Sequence, residues 1–303
     1  MDAQDGLAAR FETHRDHLRT VAYRMLGSLS EAEDSVQEAW LRLARVDADG
    51  VENLTGWLTT AVSRICLDML RSRASRREEL AGHPMSEEGA ALGAGADPEQ
   101  EALLAESVGR ALLVVLDRLG PAERVALVLH DVFAVPFDQI APVVGRSTAT
   151  TKKLASRARG KVRGTAAISG PELARQRRVI EAFLAASRAG DIDAVLAVLA
   201  PDVVRRADRS AVPAGRPSEV RGAQAVAQEI AVFGKSAHFA EPALVNGSAG
   251  IVVAPHGRLQ LALAVTIARE RITGYELIAA PDRLRQLHLA VLDGPYGDHR
   301  EGE

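Results

Sequence analysis

Residues 136 to 163, PFDQIAPVVGRSTATTKKLASRARGKVR, constrain the fold more than any other stretch, because they spell two helices joined by a tight turn at Gly145 and Arg146. Phe137, Ile140, Ala141 and Val144 recur at three- and four-residue steps, the pattern of one buried stripe. Gly145 suits the end of that helix, since a residue without a Cβ adopts the left-handed conformation at no steric cost. Ser147 is placed to cap the second helix, its hydroxyl accepting from first-turn amides. That helix hides Leu154, Ala158 and Val162 on one stripe and presents Thr148, Lys152, Lys153, Arg157, Arg159, Lys161 and Arg163 elsewhere. A cationic helix after such a turn suits a major groove, where lysine and arginine neutralise phosphates and the helix N-terminus meets base edges. A helical hairpin with a solvated basic face is the plainer reading of these residues alone. The rest of the chain weighs against it.

At 303 residues the chain is long enough for two or three domains, each with a core of its own. A formal net charge of -3 excludes a protein that is basic throughout, so any nucleic-acid surface is local. Charge is indeed segregated: 71–77 (RSRASRR) and 152–163 are basic, whereas 86–106 and the tail from Asp298 are acidic. The single cysteine, Cys66, rules out an intrachain disulfide and any multi-cysteine metal site, and its apolar neighbours Ile65 and Leu67 mark it as a buried thiol. No apolar run is long enough to span a bilayer and the polar N-terminus is unlike a secretory signal, so the expected compartment is the cytoplasm, with no membrane partner.

Toward the N-terminus, Phe11, His14, Leu18, Val21, Ala22 and Met25 lie at helical spacing and stop at Gly27. Ser30 with Glu33 three residues later predicts a capping box opening the next helix. In that helix Val36, Ala39, Trp40 and Leu43 point one way, and Asp34, Gln37, Glu38 and Leu41 another. An acidic face tipped by an exposed leucine is the makings of a docking surface for a basic partner. A third helix, entered at Trp57, buries Leu58, Val62, Ile65 and Met69. Its opposite face carries Thr60, Arg64, Asp68 and Arg71 and continues into Arg73, Arg76 and Arg77. Cations beside an aromatic ring are the ingredients for holding a separated DNA strand, by phosphate neutralisation and base stacking.

Residues 81–100, rich in glycine, alanine and acidic side chains, read as a linker, and a helix resumes near Asp97 or Pro98 and runs to Leu119. Gly120 and Pro121 then mark an end and a beginning, with a helix over 121–132. After a break at Ser169, Gly170 and Pro171 the character changes: helices over 172–189 and 222–233, a short helix ending at Pro201, then β-branched runs at 239–245, 251–254, 259–269 and 271–278 with turns at Asn246-Gly247 and His256-Gly257. Helices followed by antiparallel hairpins predict an α+β cone with helices against one face.

Taken together, SEAEDSVQEAWLRLAR, WLTTAVSRICLDMLRSRASR and LDRLGPAERVALVLHDVFAVPFDQIA followed by KKLASRARGKVR resemble an extracytoplasmic-function (ECF) sigma factor, and AFLAASRAGDIDAVLAVLAPDVV resembles the opening of a SnoaL-like domain. The fold so implied is multidomain: two all-α sigma domains, a sigma-two helical bundle over 1–80 and a sigma-four helix-turn-helix domain over 105–168, and a cone-shaped α+β SnoaL-like domain over 171–293. Segment 81–104 is the implied linker and 294–303 a tail.

The resemblance implies promoter-specific transcription initiation, with core RNA polymerase (its β′ clamp helices and β flap) and promoter DNA as partners and regulation by the C-terminal domain. Asp34, Gln37, Glu38 and Leu41 would dock on the clamp helices; Trp57, Arg64, Asp68, Arg71 and Arg73 would hold the minus-ten strand; Arg146, Ser147, Thr148, Lys152, Lys153 and Arg157 would face the minus-thirty-five element. Three departures stand out. Pro142 lies inside the first helix of the motif, Thr151 replaces a usual aliphatic residue, and the tryptophan-leucine-proline and glycine-rich aspartate motifs of the subgroup with such an extension are missing, ADRSAV occupying 207–212.

In the last domain His238, Tyr275, Asp208 and His256 are the polar candidates for a pocket, His238 and Tyr275 foremost, but no spacing pairs a base with an oxyanion donor. The expectation is no catalytic residue, no metal and no cofactor, with either a small molecule or an intramolecular contact engaging that domain. The alternatives are a helix-turn-helix regulator acting without core polymerase, and a cyclase or isomerase with a DNA-binding appendage.

Overall fold

The computed structural model describes residues 3–46, 53–80 and 109–292. The expected linker at 81–104, the helix start near Asp97 and the tail at 294–303 lie outside them. The chain divides into two compact units, one of residues 1–107 and 116–159, the other of 108–115 and 160–303.

In the first unit, α1 (Ala3–Leu26), α2 (Leu29–Leu43) and α3 (Leu54–Leu80) pack against one another. Their interior is the stripe the spacing predicts: Leu18, Val21, Ala22 and Met25 from α1, Ala39 and Leu43 from α2, Leu58 and Val62 from α3, all fully buried. Each leucine, valine or methionine among them contributes about 1.5–3 kcal/mol by leaving water. The α1–α2 turn is tighter than expected. Gly27, in the left-handed region, ends α1, and Ser28 is the extended cap whose hydroxyl accepts from the Glu31 amide, so the cap is Ser28 rather than Ser30. With Gly27 closing one helix, Ser28 is the first residue free to take the extended backbone that a cap requires.

The same unit contains α5 (Pro121–Leu127), a π turn at Val128–Val132, α6 (Phe137–Val144) and α7 (Thr148–Arg163) as far as Arg159, and α5 and α6 pack on α3. The expected single helix over 121–132 thus widens into a π turn, within which Leu129 accepts from the Val135 amide. α6 runs through Pro142 unbroken; the proline is exposed, so the carbonyl that lacks its amide partner faces water.

The second unit begins with α4 (Arg110–Leu116) and continues with α8 (Gly170–Ala189), α9 (Ile192–Val198), α10 (Ala223–Phe233) and α11 (Pro281–Gln286) around one seven-stranded sheet. Its strands are β1 (Leu199–Ala207), β2 (Glu219–Arg221), β3 (Ala240–Val245), β4 (Ser248–Val253), β5 (Leu261–Ala268), β6 (Arg271–Ile278) and β7 (Leu289–Val291), in the order β2-β1-β6-β5-β4-β3-β7. All neighbours are antiparallel except β1 and β6. β1 passes through Pro201 instead of starting after it. The ladder to β6 breaks between Leu199 and Val204, so the missing proline amide removes no bond. Val179, Ile180 and Phe183 of α8, Val226 of α10, and Ile251, Leu263 and Ile272 of the sheet form the core between helices and strands.

Cys66 is fully buried in α3, and burial pushes its thiol up to about 12. A thiol-disulfide reagent such as Ellman's at pH 8 should therefore leave the folded chain unlabelled and react with one thiol after unfolding in guanidinium. Rapid labelling of the native protein would contradict this burial.

Candidate nucleic-acid interface

α2 has two faces. Leu29, Ala32, Ser35, Val36, Ala39 and Leu43 are buried, while Asp34 and Gln37 are exposed and Leu41 keeps 43% of its surface in water. Among the described residues Glu38 beside them is engaged only by Arg42, one turn on, at 3.0 Å. An exposed i,i+4 pair of this sort is worth about 0.3–0.5 kcal/mol, so a cation on a partner displaces Arg42 at little cost.

α3 likewise turns Arg64, Asp68 and Arg71 to solvent, with Asp68 and Arg71 paired at 3.5 Å and Trp57 half-buried at the start. Arg73 does not join them. A residue two positions on lies about 200° around the helix, and there the Arg73 Nε donates to Glu31 and Nη1 to the Leu26 carbonyl at 2.9 Å. Arg73 fastens α3 to the α1–α2 turn, which corrects its assignment to the DNA surface. The Arg64 side chain reaches the Pro142 carbonyl of α6 at 3.5 Å.

The turn into α7 is as the sequence predicts. Gly145 is left-handed at φ 68°, Arg146 donates its amide to Ala141, and the Ser147 hydroxyl accepts from the Thr150 amide at 3.2 Å. Arg146, Thr148, Lys152, Lys153, Arg157 and Lys161 are exposed along one face. The buried stripe is Thr151, Ala155, Ala158 and Val162, with Leu154 only half-buried. Thr151 fills the aliphatic position because its hydroxyl is satisfied within the helix, donating to the Ser147 carbonyl at 2.9 Å. Arg159 leaves the cationic face: its Nε and Nη2 donate to the two Asp131 oxygens at 2.6 and 2.7 Å, bracing α7 on the π turn.

Three helices thus each bury one stripe and expose a charged one, in the order acidic, mixed, basic. Matches to two families cover these segments, Sigma-70 region 2 over residues 10–76 and Sigma-70, region 4 over residues 109–162. The chain is 35% identical over 300 residues to the probable ECF RNA polymerase sigma factor SigI of Mycobacterium tuberculosis, covering 97% of this chain and all of that one. The chain belongs to the ECF RNA polymerase sigma factors. It is also 41% identical over 256 residues to the ECF sigma factor SigJ of the same organism, 81% of this chain and 80% of that one. The crystal structure of the M. tuberculosis SigJ aligns over 92% of this chain and 98% of that one, at 33% identity and a TM-score of 0.44.

In this sigma factor α4, the first helix of region 4, sits in the unit built on the C-terminal sheet. The Glu241 carboxylate of β3 accepts from the Ala111 amide at 2.9 Å and lies 3.7 Å from Arg110, whose guanidinium covers the Phe239 ring at 5.6 Å. Gly257 lies against the same helix: a Cβ there would come within 2.7 Å of the Leu113 side chain. No sequence pattern marks Glu241, because its partner is 130 residues away.

The concave face of that sheet encloses a cavity of about 310 Å3. Tyr275 lines it, as the sequence suggests. His238 does not; it is exposed, on a 3-10 turn over Gly234–Phe239, since the chain leaves α10 before the strand that would have aimed it inward. Asp208 is structural, one oxygen accepting from the Ala279 and Ala280 amides at 2.9 and 2.8 Å ahead of α11. The sequence reading missed Arg205 and Glu229. Arg205, 2% exposed, donates through Nε and Nη2 to both Glu229 oxygens and through Nη1 to the Pro217 carbonyl. An arginine within the alternating pattern of β1 was the available signal.

Removing one partner of such a buried pair strands the other, at about 3–5 kcal/mol. Glu229→Ala should therefore lower the thermal unfolding midpoint by several degrees in circular dichroism. An unchanged midpoint would show that the pair carries no stability.

Proposed function

We propose that this sigma factor docks on the β′ clamp helices of core RNA polymerase through Asp34, Gln37, Glu38 and Leu41 of α2, with region 4 meeting the β flap. Trp57, Arg64, Asp68 and Arg71 of α3 then hold the opened minus-ten strand. Arg146, Ser147, Thr148, Lys152, Lys153 and Arg157 face the minus-thirty-five element, cations on phosphates and the helix N-terminus toward base edges. The observation that carries this is the α2 strip: an exposed leucine among weakly engaged acids, on a helix whose opposite face is sealed. A regulator that never met core polymerase would have no use for it. The site of action is then the cytoplasm, and among the described residues no helix is long and apolar enough to cross a membrane.

The two promoter elements lie about 25 base pairs apart, roughly 85 Å at 3.4 Å per step. α3 and α6 are packed together, and Arg64 touches Pro142. Reading both elements at once requires that contact to open. The C-terminal domain regulates this step by retaining α4 through Glu241 and the Arg110–Phe239 contact. A cyclase or isomerase reading is disfavoured by Glu229, among the described residues the one carboxylate lining the cavity, because Arg205 donates to both its oxygens and makes them poor bases.

Reversing Asp34 and Glu38 together to lysine should abolish capture of core polymerase in a pull-down while the circular dichroism spectrum stays native; retained capture refutes the docking assignment. Glu241→Ala, which frees the Ala111 amide, should raise transcript yield several-fold with purified core enzyme and the chain's own upstream DNA. A yield identical to wild type removes the regulatory role of this contact.

A further inference from the structure

α1 to α3 belong to region 2 and α5 to α7 to region 4, and the first unit joins them along one seam. At its centre Val125, Ala126 and Leu127 of α5 are fully buried, and Arg124 of the same helix lies against Gly27 at the end of α1. A short helix sealed in this way is held by packing on several sides at once.

The edge of the seam is built differently. Phe133, the residue that closes the π turn, stands half-buried against α1. The Arg24 guanidinium lies 5.6 Å from its ring centroid, and the His17 ring meets it edge-on with centroids 5.5 Å apart. His17 and Arg24 are two turns apart in α1, so they project from one face and engage the ring together. Directly after the ring the backbone reverses: Ala134 is left-handed at φ 53°, and the Val135 amide donates to the Leu129 carbonyl at 2.9 Å. Beside the ring the packing is incomplete. A cavity of about 310 Å3 is lined there by His17, Thr59, Ser63, Phe133 and Gln139 among others, and among the described residues no carboxylate, lysine or arginine lines it. Such a void forfeits the contacts that a close-packed seam makes, so this is the edge at which the two regions part most easily. The Arg64 bond to the Pro142 carbonyl, at 3.5 Å, is long and adds little.

We propose that Phe133 is a latch: seated on His17 and Arg24, it holds region 4 on region 2 and keeps the free chain from addressing both promoter elements until core polymerase separates the two. The inference rests on the proposed opening of the α3–α6 contact and names the side chain that controls it. A ring held by a half-exposed cation and a second ring biases an equilibrium without fixing it, which is what a contact to be displaced by a partner requires.

Cys66 makes the opening measurable. It is fully buried in α3 beside Ser35 of α2 and Arg124 of α5, so parting the seam uncovers the single thiol of the chain. With the full chain and Ellman's reagent at pH 8, followed over hours, Phe133→Ala and Arg24→Met should each speed labelling about tenfold, which corresponds to about 1.4 kcal/mol. The double variant should be no faster than Phe133→Ala alone, since both substitutions remove one contact. The rate should change little in urea below the unfolding transition, because parting a seam exposes far less surface than global unfolding does. A Phe133→Ala rate equal to wild type, a double variant faster by the product of the two single effects, or a rate climbing with urea as steeply as global unfolding would each overturn the latch. Should Phe133→Ala fail to fold, Arg24→Met, which keeps the length of a half-buried side chain, decides by the same rate. Faster labelling with an unchanged transcript yield from purified core enzyme keeps the latch and sinks instead the reading that the α3–α6 contact must open, so the two fail separately.

Discussion

A helix that keeps one charged face in water while belonging to a small bundle has to anchor itself on the other face only, and that division governs the first unit of this protein. α2, α3 and α7 each spend one stripe on the core, and the anchoring is reinforced by charges turned inward from the functional faces: Arg73 to Glu31, Arg159 to Asp131. Asp34 and Lys152, both exposed, lie outside the stripes that orient these helices. The exposed charges and the anchoring side chains are thereby different residues of one helix.

The stripes were legible because helical periodicity is local: Leu18 to Met25, then Val36, Ala39 and Leu43, and Leu58 to Ile65 bury as spaced, with Trp40 only half-buried. So were the turns that demand a particular residue, Gly145 and the Asn246-Gly247 hairpin, both in left-handed backbone. What was not legible was where a long side chain spends its charge. Arg73 and Arg159 belong to basic runs, and nothing in a run says which member points back toward a carboxylate on another element. The cap at Ser28 was misplaced because two serines flank one leucine and only the position of Gly27 decides between them.

In the C-terminal unit the limits are of another kind. Its α+β character followed from composition and turns, but the parallel β1–β6 pairing, which sets Arg205 beside Tyr275, is a long-range register that no local pattern encodes. His238 looked as suitable as Tyr275 because both precede or occupy strands; the backbone turn at Gly234–Phe239 alone separates them. The membership of α4 was hidden for the same reason, since its partners Glu241, Phe239 and Gly257 lie more than 120 residues further along the chain.

Beyond α7 the chain is secured again: the Ala167 amide donates to the Gly247 carbonyl at 2.7 Å, and Gly164 lies against Ala290. The chain thus leaves the second unit for residues 116–159 and returns to it at Gly160, so that stretch is joined to the sheet-bearing unit at both its ends. Bringing the two ends of that stretch to one body carries a closure cost that grows only slowly with its length. One cleavage within it would leave both fragments still held to the sheet.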